Sequence, residues 1–146
     1  AAAPVDEIAE LIRPANYYNT KAERVREISK IIVEEHAGNV PQTIEVLMRL
    51  PGVGRKTASC VMLYGFRKPA LPVDTHVHRI SNRIGLIGTE TPEESEQELW
   101  KVVPEKYIML YNEFMVKHGQ NTCRPITPRC HQCPIADLCD YGSNLA

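Results

Sequence analysis

A proline and two glycines interrupt an otherwise helical stretch: Leu50-Pro51-Gly52-Val53-Gly54 lies between a helical run, Thr43 to Leu50, and another, Arg55 to Tyr64. Proline disfavours helical geometry in the residue before it, and glycine takes positive φ without strain. Two helices must reverse direction there, and such a chain is committed to packing helix on helix. The remaining sequence agrees. Asp6 to Arg13 reads as a helix cut by Pro14. Thr20 and Glu23 have capping-box spacing ahead of Val25, Ile28, Ile31 and Ile32, which predicts a helix to His36 that stops near Gly38. Gly65 to Val73 is a loop, after which Asp74 caps a helix reaching Ile84. Thr91-Pro92-Glu93-Glu94 opens another with proline in its first turn, and Tyr107 to His118 forms a last one ending at Gly119. No alternating strand pattern and no repeat is found, so the fold class is all-α.

Composition removes several function classes. With 43% hydrophobic and 24% charged residues the 146-residue chain suits one globular domain or two small joined ones. No stretch approaches the roughly 20 apolar residues that a bilayer crossing needs, and Ala1 to Arg13 lacks the basic start and apolar run of a secretory signal. The expected location is the cytoplasm, at the nucleoid, or the nucleus, with no membrane partner. Net charge is only -1, yet Arg49 to Arg83 holds seven basic residues and a single acid, Asp74, while Glu90 to Glu98 holds five Glu and no base. One face is then cationic, unless the clustering is simply a solvated surface.

The turn carries the first chemistry. Its glycines let another backbone approach, and the helix after it offers unpaired N–H groups and a positive dipole end that suit a phosphate. A Walker loop wants glycine immediately before the Lys-Thr pair, where Arg55 stands; a dinucleotide fingerprint wants a third glycine near Ala58 and a strand upstream. Both fail. With Arg49, Arg55 and Lys56 beside the turn, a nucleic-acid backbone is the favoured anion, held by Gly52, Val53, Gly54 and Arg55; an ordinary tight turn is the competing reading. By the residues alone, Lys56 is a phosphate-binding lysine and Asp74 a helix cap.

Cys123, Cys130, Cys133 and Cys139 follow C-x6-C-x2-C-x5-C. Four soft thiolates in one loop can hold tetrahedral zinc or a cubane iron-sulfur cluster, and ligand chemistry leaves both open. An odd cysteine count in a chain without a secretory signal argues against disulfides. Cys60 reads as a buried hydrophobe, and His131 as a bystander in its knuckle. His76 and His78, two apart on a helix, cannot face one metal; His36 and His118 stand near helix C-termini, where a partly protonated imidazole suits the dipole.

Taken together, LPGVGRKTA at Leu50 to Ala58, Val73-Asp74-Thr75-His76 and the C-terminal four-cysteine loop closely resemble the helix-hairpin-helix DNA glycosylases of the endonuclease III family, over about Ile12 to Tyr141. The resemblance implies a partial helical barrel, residues 15–103 with the helix-hairpin-helix at 43–65, and a cluster-bearing helical domain made of 1–14 and 104–146 with the cysteine loop at 123–139. It implies base excision repair acting on double-stranded DNA with a damaged base or abasic site. Lys56 would attack the sugar C1′, expel the base and leave an imine that permits β-elimination of the 3′ phosphate; Asp74 would assist. A lysine nucleophile must be neutral, and the first turn of a helix, beside Arg55 and against a closed pocket, disfavours the ammonium form. Lysine at this position implies a bifunctional glycosylase with lyase activity, usually toward oxidised pyrimidines. Alternatives are a mismatch-specific glycosylase and a DNA-binding module, non-catalytic or impaired, that keeps the cluster. The loop implies a 4Fe-4S cluster, with zinc the lesser occupant, holding Arg124 and Arg129 toward phosphates.

Members of that family normally begin several tens of residues earlier, with helices that close the barrel and a segment that fills the gap left by the extruded base. The expectation is a fragment or a shortened relative, whose barrel half exposes apolar surface that a second chain or segment would supply with its cover.

Overall fold

A computed structural model describes residues 1–143, and every regular element among them is helical. The order is α1 (Val5–Leu11), α2 (Tyr18–Glu35), α3 (Ile44–Leu47), α4 (Arg55–Cys60), a π-helical turn (Val61–Gly65), α5 (Thr75–Arg83), α6 (Pro92–Val102), α7 (Glu105–Asn121), two 3-10 turns (Cys130–Gln132 and Ala136–Leu138) and α8 (Asp140–Ser143). Two compact units divide it, Ala1–Ala58 and Ser59–Ala146, the division falling within α4. No helix among the described residues is long and apolar enough to cross a membrane.

In the first unit α1 packs on α2. Val5, Ile8, Ala9 and Ile12 recur at helical spacing on α1, and Ala9 and Ala22 are buried, so small side chains bring the two backbones together. The capping box expected at Thr20 and Glu23 is not formed: α2 starts three residues earlier, at Tyr18, after Tyr17 has turned the chain at φ 57°. Thr20 is then inside the first turn, where its hydroxyl has no cap to make. The other end is as the sequence implies, with Gly38 at φ 79° donating to the Ile32 carbonyl at 2.9 Å. Leu11, Tyr17, Val25 and Val33 stand exposed.

The second unit is built around α5, which packs on both α6 and α7. Leu71, Val73, Val77, Leu99, Val103 and Ile108 form its buried core. Burying a side chain of this kind contributes about 1.5–3 kcal/mol, so this cluster is the main reason the unit holds. α7 approaches α5 at Gly119, where a Cβ would run into the His76 ring and come within 3.0 Å of Ile80 Cδ1. Thr91 accepts from the Glu94 amide at 3.2 Å while the Glu94 carboxylate accepts from the amides of Glu90 and Thr91, and Pro92 occupies the first turn of α6.

Candidate active site and cluster loop

The hairpin turn forms as its residue types require. Leu50 accepts from the Val53 amide at 3.1 Å with Pro51 second and Gly52 third in the turn, and Gly52 takes φ 73°. That is the pattern of a type II turn, in which only glycine takes the third place without strain. α3 is shorter than the expected Thr43 to Leu50 because Arg49 and Leu50 tighten into bonds three residues apart before Pro51, which has no N–H to donate. Leu47, Leu50 and Ala58 are buried beneath the turn, and Gly52, Gly54, Arg55 and Lys56 lie outward. Lys56 sits in the first turn of α4 and is exposed. Its closed, desolvating surroundings, expected from sequence, are therefore not provided. Arg24 of α2 lies over the turn: a Cβ on Gly52 would come within 2.7 Å of Arg24 Cδ. This further cation at the hairpin has no sequence signal, since only the fold brings position 24 there.

Asp74 caps α5 as expected. Its Oδ1 accepts from the amides of His76 and Val77, both at 2.9 Å. Among the described residues Oδ2 takes part in no hydrogen bond, so the cap occupies one oxygen only. Lys56 belongs to the first unit and Asp74 to the second.

Tyr64 stands on the π-helical turn that replaces the end of the expected helix, Phe66 donating to Val61 five residues back at 3.2 Å. Its hydroxyl donates to Asn112 Oδ1 at 2.8 Å. Burial raises the Tyr64 pKa, and Cys60, Glu113 and Asp74 raise it further. Cys60 is only half-buried, less than the hydrophobe expected.

In the C-terminal loop the structure brings the four cysteines together. Cys123, Cys130, Cys133 and Cys139 line one small cavity with His118 and Arg129. Among the described residues no three Cys, His, Asp or Glu side chains are placed to hold one ion. Hydrogen-bond donors to the sulfurs are in place as a thiolate-held cluster needs: Arg83 reaches Cys123 Sγ at 3.5 Å and the Gly142 amide reaches Cys139 Sγ at 3.4 Å. His118 Nε2 is 3.8 Å from Cys133 Sγ, and burial lowers its pKa, which opposes the partial protonation expected at a helix end.

Two arginines of α5 fasten this loop. Arg79 donates to the Cys123 carbonyl at 2.8 Å; Arg83 donates to the carbonyls of Arg124 and Pro125, both at 2.7 Å, and lies 4.6 Å from the Tyr141 ring centre. Their spacing of four puts them on one face of the helix, but their partners lie more than 40 residues away. Arg124 and Arg129 themselves are exposed. His131 is exposed, whereas His78 is used in packing, its Nδ1 2.6 Å from Ser95 Oγ.

Comparison with known proteins decides the family. Residues 1–105 match the HhH-GPD superfamily base excision DNA repair proteins. The chain belongs to that superfamily. Residues 123–139 match the iron-sulfur binding domain of endonuclease III, and an iron-sulfur cluster is the cofactor of this loop. Among curated relatives, endonuclease III of Thermotoga maritima is 48% identical over 141 residues, 97% of this chain and 66% of the relative; that of Escherichia coli is 39% identical over 97% and 67%. A solved non-covalent endonuclease III–DNA complex superposes with a TM-score of 0.87 at 34% identity, covering 99% of this chain and 68% of that one. A thermostable thymine-DNA glycosylase superposes with 0.78 at 28% identity, covering 97% and 67%. The chain thus spans about two thirds of the length of the curated relatives it matches.

Proposed function

We propose that this chain is a bifunctional DNA glycosylase and abasic-site lyase of base excision repair, removing oxidised pyrimidines and cleaving the strand 3′ to the site. The observation that carries this reading is a lysine in the first turn of the helix after a type II hairpin turn, in a member of the HhH-GPD superfamily. A relative's solved structure, of a trapped endonuclease III–DNA covalent intermediate, superposes with a TM-score of 0.87. Lys56 Nζ attacks C1′ and displaces the base, which leaves with a proton. The sugar ring then opens as the C1′–O4′ bond breaks, O4′ taking a proton, and the resulting iminium ion activates the 2′ proton, whose removal expels the 3′ phosphate. Asp74, through Oδ2, stabilises positive charge on the sugar or accepts a proton during attack.

DNA with a damaged base or abasic site is the partner, its target turned out of the stack because C1′ is shielded inside it. The turn at Gly52, Val53 and Gly54, through the amides that the Val53 bond to Leu50 leaves outward, holds phosphates together with Arg55, and Arg124 and Arg129 hold others. These contacts carry no sequence information, so binding is salt-sensitive and indifferent to flanking bases. Cys123, Cys130, Cys133 and Cys139 are the cluster's ligands, and a 4Fe-4S composition fits four thiolates around one cavity. When bound, the cluster rigidifies the loop that presents Arg124 and Arg129. The division into a barrel at 15–103 and a cluster domain from 1–14 and 104–146 belongs to the same proposal.

A second reading, a module that binds DNA without cutting it, draws on the exposure of Lys56. One experiment separates them. A duplex with a single abasic site is incubated with the protein and with Lys56→Gln; strand scission lost in the variant while binding survives supports the enzyme, and equal behaviour of the two supports the module.

A further inference from the structure

Asp74 is reached along a run without regular structure, 66–74, that contains Pro69 and Pro72 and has no strand partner. Something other than a backbone ladder must hold it. Leu71, Pro72 and Val73 are buried, so a carbonyl left unpaired there would be costly. The Pro72 carbonyl is satisfied by Asn112 of α7, whose Nδ2 donates to it at 2.8 Å. Asn112 is itself 6% exposed, with little access to substitute water.

The orientation of this amide is fixed by its neighbours. A carbonyl can only accept, so Nδ2 faces Pro72 and Oδ1 faces Tyr64; the Tyr64 hydroxyl must then be the donor in the 2.8 Å bond between them. The result is one directed chain, Tyr64 to Asn112 to Pro72, ending two residues before Asp74. Tyr64 makes this bond although the residue is 43% exposed. It lies on a π-helical turn, an irregularity found often at functional sites. The Asp74 carboxylate is among the charges that act on the Tyr64 phenol, so both ends of the chain share one electrostatic neighbourhood.

We propose that Asn112 and Tyr64 are positioning residues for Asp74, fixing the backbone that presents its unbonded carboxylate oxygen. The inference rests on the reading that Asp74 takes part in the reaction. Oδ1 is tied to the start of α5 by the cap, and the Pro72 bond ties the backbone two residues before Asp74, so the residue is held on both sides along the chain. Such pre-organisation matters because a misplacement of about 1 Å can cost a reaction about a hundredfold.

The test measures strand scission of an abasic duplex, as kcat and KM, for wild type, Asn112→Leu, Tyr64→Phe and Asp74→Asn, and for Asn112→Leu and Tyr64→Phe each combined with Asp74→Asn. Both single positioning variants are expected to lower kcat about tenfold, with KM changed by less than about twofold. In the Asp74→Asn background each should change the residual rate by less than about twofold, because the group they position is gone. A merely structural role would lower both backgrounds alike. Tyr64→Phe decides the matter if Asn112→Leu fails to fold, since Tyr64 is partly exposed. Wild-type kcat in Tyr64→Phe, or an equal loss with and without Asp74, overturns the inference and leaves the catalytic reading standing. A wild-type rate in Asp74→Asn overturns that reading, and the inference with it.

Discussion

Asp74 is assigned two jobs, and substitution can separate them. Its Oδ1 accepts two amide hydrogens at 2.9 Å at the start of α5, a helix whose Val77 and Ile80 are fully buried in the second unit. Removing such a cap costs about 1–2 kcal/mol. Asparagine and serine cap about as well as aspartate and lose only the charge–dipole part, about 0.3–1 kcal/mol. For a chain of this size each kcal/mol moves Tm by about 3–4 °C, so Asp74→Ala should melt roughly 3–8 °C below wild type. Asp74→Asn and Asp74→Ser should melt within roughly 1–4 °C of it. Activity should not follow that order. Loss of a carboxylate that moves a proton or stabilises a developing cation costs about 10²- to 10⁴-fold, and all three variants lose it equally. Melting followed by far-UV circular dichroism, beside single-turnover scission of an abasic duplex, gives both orders. If Asp74→Asn keeps near-wild-type scission while Asp74→Ala loses it in proportion to stability, Asp74 is a cap and nothing more.

Two other variants probe the second unit. Gly119→Ala drives a methyl group into the His76 ring, which Arg79 holds at 3.1 Å while also holding the Cys123 carbonyl. A loss of about 1–3 kcal/mol is expected, read as a Tm several degrees lower; an unchanged Tm would show that α7 moves away freely. The Glu94 carboxyl is held below its ordinary pKa, chiefly by the Glu90 amide and then by that of Thr91. Its stabilisation is present in full above the ordinary glutamate value and is lost as pH falls through the depressed one. Glu94→Gln should therefore melt below wild type at neutral pH, with the gap closing on acidification; a gap that widens contradicts the assignment.

The helices were legible where local chemistry and packing agree. Asp74 and Thr91 cap as their sequence contexts suggest, and Gly38 ends α2, because each acts within a few residues of itself. Thr20 and Glu23 have the spacing of Thr91 and Glu94 but form no box, since a left-handed Tyr17 starts α2 early. Nothing in the apolar pattern of 55–64 announces a π-helical turn. The four cysteines and the hairpin were legible as motifs; Arg24, Arg79, Arg83 and Asn112 were not. Each of these acts on a partner distant in sequence, and only folding supplies the partner.

The central claim is that the amine of Lys56 bonds covalently to deoxyribose. Borohydride added during incubation with an abasic duplex reduces the imine to a stable secondary amine. A cross-linked protein–DNA band from the wild type and none from Lys56→Gln is the result expected. No adduct from wild-type protein that binds the duplex, or an equal adduct from the variant, would contradict the account.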